Sequence, residues 1–264
     1  MRHAYQIETN IVNGEKIIHH EEKQSVRLNK YIASSGYCSR READRYIENG
    51  QVTINGVIAE VGTKVLPGQV VIVDHQEIEV EEKLVYIALH KPRGITCTTD
   101  TEMEDNITDF LNYPLRVFPI GRLDRESSGL ILITNDGDIV NKVLRSNNGH
   151  EKEYIVSVNK SIDDEFLNAM SNGIQIYNPV SNSYQITKPC VIEPIGPKTF
   201  NIVLTEGLNR QIRRMCSALG YVVRELERIR VMNIELGDMG VGGWRYLSEQ
   251  ELIKLNELIN KTSL

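Results

Sequence analysis

One carboxylate, Asp124, sits in a short loop bounded by Gly121 and Gly129. Arg122 and Arg125 flank it, and an apolar run from Leu130 to Thr134 follows at once. Cationic neighbours favour the ionised form of a carboxylate. A loop anchored on a rigid strand is a good place to hold a reactive group. A carboxylate held ionised there can serve as nucleophile or base. The same residue types also suit an Asp that caps a turn or bridges to a surface arginine. The spacing alone leaves both readings open. Asp136 and Asp138 lie downstream and raise a third, hydrolysis by paired carboxylates, although Thr134-Asn135-Asp136-Gly137-Asp138 reads better as a turn and helix start.

Two groups of basic residues accompany this loop. Arg210, Arg213 and Arg214 recur at i, i+3 and i+4, which places them on one helix face, with Arg224, Arg228 and Arg230 following. Arg27, Lys30, Arg40, Arg41 and Arg45 form the second group, interleaved with Tyr31 and Ser39. Such clusters suit nucleic-acid contact, while isolated surface arginines are usually solvated charge. The net charge of −6 counts against a simple nucleic-acid binder. Acidic residues, however, gather elsewhere, at Glu21, Glu22, Glu77, Glu79, Glu81 and Glu82. A locally basic surface on an acidic protein is the result. Cys38, Cys97, Cys190 and Cys216 are too scattered for a zinc site or a disulfide framework and read as free thiols. His19 and His20 read as surface residues.

The elements that must position these groups fall into segments. Residues 5–18 read as a hairpin around Asn13-Gly14, within an N-terminal extension over 1–24. Residues 25–74 read as a small domain. A helix is expected over 26–34, with Leu28, Tyr31 and Ile32 on its apolar stripe. A second helix starts after Ser39, which forms a capping box with Glu42. Strands follow over 52–54, 57–61 and 69–73, with turns at Asn55-Gly56 and Pro67-Gly68. Residues 75–84 read as an acidic linker, and 85–264 as a larger domain. There, strands are expected over 85–89, 130–134, 154–158 and 200–204, and helices over 107–111, 138–145, 162–171 and 209–219. A last helix starts at Ser248, capped with Glu251, and carries Leu252, Leu255 and Ile259 inward. Strands and helices do not alternate regularly, so the class is α+β rather than a doubly wound parallel sheet. No apolar run is long enough to span a bilayer. The start has no secretory signal, so a cytoplasmic protein is expected.

The stretch GRLDRESSGLILITNDGD, residues 121–138, resembles the catalytic motif of the RsuA/RluB/RluE/RluF family of pseudouridine synthases. His90-Lys91-Pro92-Arg93-Gly94 resembles that family's KPxG turn. Lys152-Glu153-Tyr154 resembles its KEY motif, and residues 204–215 resemble its EGxxRQIRRM segment. Residues 25–74 are similar to the S4 RNA-binding domain that precedes the synthase domain in this family. Asn209-Arg210-Gln211 and residues 150–156 look most like the RluF branch, which acts on 23S rRNA.

The resemblance implies an isomerase that breaks the bond from ribose C1′ to uracil N1, rotates the base and rejoins it through C5. No redox change occurs, so no cofactor or metal is implied. It implies a small S4-like domain followed by a larger synthase domain with a mixed or antiparallel sheet. Asp124 would be the catalytic carboxylate. Arg213 would pair with it, Tyr154 would stack on the extruded uracil, Arg122 would fill the gap left by base flipping, and Leu204 would pack beneath the base. Arg27, Lys30, Tyr31, Ser39, Arg40, Arg41, Arg45, Arg210 and Arg214 would contact RNA. The implied partner is ribosomal RNA, 23S foremost, with 16S rRNA or tRNA as alternatives, and the family habit is monomeric. The rival reading is a non-catalytic S4-type RNA-binding or ribosome-assembly protein, which leaves the motifs around Asp124 and Gln211 unused. Unlike the RluF branch, the chain lacks a long basic tail after its last helix.

Overall fold

The computed structural model describes residues 5–12, 15–22, 25–80, 83–100, 102–144, 149–179 and 182–261. The chain divides into two compact units, Met1–Lys83 and Leu84–Leu264. At the start of the first, β1 (Tyr5–Val12) and β2 (Glu15–Glu22) pair antiparallel from Tyr5↔Glu22 to Val12↔Glu15. The expected Asn13-Gly14 turn lies outside the described residues.

The rest of this unit places two helices on small sheets. β3 (Val26–Arg27) precedes α1 (Leu28–Ser34) and pairs with β6 (Lys64–Val65). The helix was expected from Val26. The β-branched Val26 instead lies opposite Val65, and the Leu28 amide donates to the Thr63 carbonyl at 2.9 Å, so the helix starts two residues later. α2 (Arg40–Glu48) has the expected capping box: the Glu42 amide donates to Ser39 Oγ, and the Ser39 amide donates to Glu42 Oε2. Ala43 and Ile47 are its buried face, which leaves Arg40, Arg41 and Arg45 outside. A four-stranded sheet runs β5 (Val57–Ile58), β4 (Val52–Ile54), β7 (Val71–Val73), β8 (Gln76–Ile78). β8 lies where the sequence suggested linker. Ile78 drives the difference: it is buried in the same cluster as Val71 and Val73 and pairs with Val71.

The second unit is built on a nine-stranded mixed sheet. Its strands are β9 (Tyr86–Lys91), β10 (Phe118–Ile120), β11 (Ser128–Thr134), β12 (Lys152–Val158), β15 (Val191–Gly196), β16 (Thr199–Leu204), β17 (Val223–Val231), β18 (Ile234–Glu235) and β19 (Trp244–Tyr246). The main order is β15-β16-β12-β17-β11-β9-β19. β11 runs antiparallel to β9 but parallel to β17. Its residues alternate between two cores. Leu130 and Leu132 face the cluster with α4 (Gly137–Leu144) and α7 (Glu249–Lys261), while Ile131 and Ile133 face the cluster with α3 (Ile107–Leu111). Burial on both faces explains why this strand reads as a continuous apolar run rather than an alternating one. A third cluster packs β12 and β16 under α5 (Asp164–Asn172) and α6 (Gln211–Ala218). β13 (Gln175–Asn178) and β14 (Ser183–Ile186) form a separate hairpin between α5 and β15.

β17 was not expected as a strand, because five of the nine residues of VRELERIRV are charged. It nevertheless sits at the centre of the sheet between β11 and β12. This corrects the reading of Arg228 and Arg230 as an RNA footprint. Arg228 is 4% exposed, and its Nε donates to the Leu130 carbonyl at 2.7 Å. Arg230 pairs with Glu153 at 2.6 Å and Glu151 at 3.0 Å. Burial and these pairings occupy both guanidiniums, while Arg224 at the start of the same strand stays exposed.

Candidate active site

The loop before β11 is shaped by two glycines. Gly121 has φ +80°, which opens the loop. Gly129 has φ +107°, and a Cβ there would stand 2.3 Å from the Arg228 carbonyl oxygen. Only glycine lets β11 and β17 approach this closely. Between the two glycines the Ser127 amide donates to the Asp124 carbonyl at 3.0 Å, a turn that holds Asp124 just ahead of the N-terminal end of β11. The loop amide of Leu123 donates to Cys97 Sγ at 3.3 Å.

α6 faces this turn. Asp124 Oδ2 lies 3.7 Å from Arg213 Nε and 3.7 Å from Arg210 Nη1. Glu126, two residues further on, takes Arg210 Nη2 at 3.1 Å, and Arg210 holds its carboxyl below the usual carboxylate range. Arg213 also donates to Ser127 Oγ at 3.2 Å. Burial lowers its pKa, with Glu126 as the largest opposing influence.

The helix is held against the loop by a residue that the sequence reading named within a motif but gave no role. Gln211 is buried; its Nε2 donates to Glu206 at 2.7 Å and its Oε1 accepts from the Leu208 amide at 3.1 Å. Glu206, also buried, accepts from the Lys188 amide at 2.9 Å. These bonds fold residues 206–210 into a fixed loop. Both residues stand inside the segment whose motif drew attention to Arg213. Arg210 was expected on the helix face. It instead caps the helix at φ 51°, ψ 35°, a left-handed conformation. The helix starts at Gln211, so Arg210 turns toward Asp124 and Glu126 rather than lining up with Arg213 and Arg214. Non-glycine residues in this region carry strain of about 1 kcal/mol, and such residues concentrate at functional sites. Arg214 points elsewhere, to the Tyr177 carbonyl at 3.2 Å and the Asn209 side chain.

Together these groups line a cavity of about 700 Å³. Asp124, Arg122, Tyr154, Leu204, Arg210 and Arg213 all contribute to its wall. Tyr154 is half-buried on β12 and packs against two of the apolar clusters, and Leu204 is 3% exposed at the end of β16. Arg122 is exposed and makes no hydrogen bond or ion pair among the described residues. Lys152 lines the cavity as well. Burial lowers its pKa, and its Nζ donates to the His150 carbonyl. Lys91, fully buried below the loop, donates to the Pro92 and Ile95 carbonyls at 2.7 and 2.8 Å, and burial brings its pKa down to about 8. The chamber thus has one accessible carboxylate between two guanidiniums, an apolar floor and an aromatic wall. It can hold a flat heterocycle beside a carboxylate that can serve as nucleophile or base.

In the first unit Arg27, Arg40, Arg41 and Arg45 are exposed and form no side-chain ion pair among the described residues. Lys30 and Tyr31 are half-buried, and burial raises the pKa of Tyr31. Ser39 serves as the helix cap.

Residues 85–218 match the RNA pseudouridylate synthase family, and residues 26–71 match the S4 domain. The chain belongs to the RNA pseudouridylate synthase family, and it is an isomerase with an S4 domain ahead of the synthase domain. Among its relatives is the dual-specificity RNA pseudouridine synthase RluF of Escherichia coli strain K12, 54% identical over 241 residues, which cover 90% of this chain and 81% of the relative. The ribosomal large subunit pseudouridine synthase B of Bacillus subtilis strain 168 is 35% identical, with 88% and 96% covered. A crystal structure of a pseudouridylate synthase superposes with a TM-score of 0.64 at 29% identity, covering 88% of this chain and 100% of that one. Among the described residues no helix is long and apolar enough to cross a membrane.

Proposed function

We propose that this synthase isomerises a uridine of 23S rRNA, with Asp124 as the catalytic carboxylate. The observation that carries the reading is the position of Asp124: 3.7 Å from both Arg210 and Arg213, at the wall of a cavity shared with Tyr154 and Leu204. Asp124 acts as nucleophile or base to start cleavage of the C1′–N1 bond. The freed uracil rotates, C5 bonds to C1′, C5 loses its proton and N1 gains one. Arg213 pairs with the carboxylate and orients it. Tyr154 stacks on the base and Leu204 supports it from below, so that the rotating ring stays in an apolar slot. Arg122, exposed and without a partner among the described residues, enters the stack vacated by the flipped nucleotide, which offsets part of an unstacking cost of a few kcal/mol.

The S4 domain docks the RNA backbone through Arg27, Arg40, Arg41 and Arg45, with Lys30, Tyr31 and Ser39 beside them. Four guanidiniums without ion partners among the described residues, on one small domain, suit phosphate contact. The choice of 23S rRNA rests on the resemblance to the relative named RluF, whose name also carries dual specificity. A tRNA is the candidate second substrate. We place the reaction in the cytoplasm, carried out by a monomer.

The test is a pseudouridine map of 23S and 16S rRNA and tRNA from the wild-type host and from cells carrying only Asp124→Asn. Loss of one or two 23S sites is expected. Loss in 16S instead would keep the chemistry and move the target. An unchanged map would remove Asp124 from the reaction.

A further inference from the structure

The hairpin of β13 and β14 carries a surface that the catalytic reading does not use. Tyr177 lies opposite Tyr184, and Gln175 lies opposite Ile186. Side chains alternate along a strand, so these four share one face of the ladder. The other face carries Ile176, which is 2% exposed and packs with the cluster under α5 and α6. A ladder with one face on a core ordinarily presents polar residues to water on the other. Here the outer face shows Tyr177 at 43%, Tyr184 at 70% and Ile186 at 74% exposure. The two rings stand 5.4 Å apart, and the Tyr177 hydroxyl donates to Asn182 Oδ1 at 2.6 Å.

The face is held in place and lies next to the cleft. At its base Thr187, itself buried, closes the hairpin: its amide donates to the Ile174 carbonyl at 3.0 Å, and its Oγ1 accepts from the Ile174 amide at 3.0 Å. Arg214 connects the hairpin to the rim of the cavity, with one nitrogen on the Tyr177 carbonyl and another on Asn209. Asn209 and Arg210 line that cavity. One side chain therefore spans from the catalytic wall to the aromatic pair.

We infer that the outer face of this hairpin is an RNA-docking platform, on which Tyr184 and Tyr177 stack an unpaired base of the substrate next to the segment carrying the target uridine. The inference rests on the proposed function and deepens it. RNA is the occupant because Arg214 ties the hairpin directly to Asn209 on the wall of a cleft that must receive RNA, which sets a guanidinium between the aromatic pair and that cleft. Every base offers a ring face, so stacking on tyrosine anchors an unpaired nucleotide without demanding a particular sequence.

The experiment compares wild type with Tyr184→Ala, the pair Tyr177→Ala/Tyr184→Ala, and Tyr177→Phe/Tyr184→Phe. Dissociation constants are measured by filter binding with unmodified 23S and 16S rRNA transcripts, and kcat and KM are measured on whichever transcript wild type modifies. We expect the double alanine variant to raise Kd and KM about tenfold with kcat within about twofold, and the phenylalanine pair to restore both. Tyr184→Ala alone gives an intermediate effect, and its exposed ring makes loss of folding an unsuitable explanation. Kd values unchanged within about twofold on both transcripts would overturn the inference. So would a concentration-dependent dimer in sedimentation that the alanine pair abolishes while RNA affinity stays constant, since the face would then join two copies of this chain. A wild type inactive on both transcripts would count against the rRNA reading, while the Kd comparison would still decide the role of the hairpin.

Discussion

Arg213 Nε lies 3.7 Å from Asp124 Oδ2, and that nitrogen is buried with no hydrogen-bond partner among the described residues. An unpaired buried donor is costly, about 1–3 kcal/mol, unless something reaches it. The gap is one small movement of the Asp124 turn from a charge-assisted hydrogen bond, and catalytic contacts of this kind tighten when substrate is bound. Arg213→Ala should therefore leave the far-ultraviolet circular dichroism spectrum unchanged and lower kcat by about 100-fold or more. Arg213→Lys, which keeps the charge but loses the bond to Ser127, should fall between. Near-normal turnover in Arg213→Ala would exclude it from the chemistry.

Gln211 predicts a different pattern. It touches no reacting group, yet it fixes the loop that carries Arg210 through bonds to Glu206 and the Leu208 amide. Gln211→Ala removes both and should cost about 2 kcal/mol of stability. Activity should drop as well, about tenfold in kcat with KM less affected, because the arginine next to Asp124 loses its support. A urea titration paired with steady-state kinetics separates the two effects. A stability loss with unchanged kcat would make Gln211 purely structural.

Local signals and non-local ones were not equally legible. The Ser39 capping box, the apolar run of β11 and the helix at Ile107–Leu111 are written in neighbouring residues, and each stands where the sequence suggested. The motif segments likewise located Asp124, Arg213, Tyr154 and Leu204, which the fold brings to one cavity. β17 was hidden because its stability comes from partners far away. Arg228 is accommodated there by a hydrogen bond from its Nε to the Leu130 carbonyl, 98 residues distant. The left-handed Arg210 was hidden for a related reason: nothing in its own residue type calls for that conformation, and the Glu206–Gln211 lock imposes it. β8 turns on one residue, Ile78, whose burial beside Val71 outweighs the acidic composition around it.

Gly129 offers a sharp test of how the catalytic loop is set. A methyl group at this position would meet the Arg228 carbonyl oxygen at 2.3 Å and its amide nitrogen at 2.4 Å, both backbone atoms that cannot rotate away. The positive φ adds strain of its own. Gly129→Ala should force β11 and β17 apart at the short parallel pairing Ser128↔Glu227, Gly129↔Arg228. A cost of about 4 kcal/mol or more is expected, enough to move the melting temperature by ten degrees or so. Gly207→Ala, where a Cβ meets nothing within 4 Å, serves as the contrast. A wild-type melting temperature in Gly129→Ala would show that the two strands do not need this approach.

The buried thiol of Cys216 predicts a dependence of stability on pH. Burial pushes its pKa from 9.0 up to about 12, so the folded chain keeps a proton that the unfolded chain releases above pH 9. Stability rises with pH only where the unfolded state binds more protons; here it binds fewer, so the sign is negative. The contribution is intact below pH 9 and is lost progressively between pH 9 and about 12. Cys190, raised to about 11 by burial, acts in the same direction. Lys91 acts in the opposite one, because its pKa is lowered from 10.5 to about 8. A comparison of variants isolates the thiol. The difference in urea midpoint between pH 8.5 and pH 10.5 should be more negative for wild type than for Cys216→Ala, whose small side chain costs some stability at both pH values alike. Identical differences in the two proteins would mean that the thiol reaches solvent in the folded state.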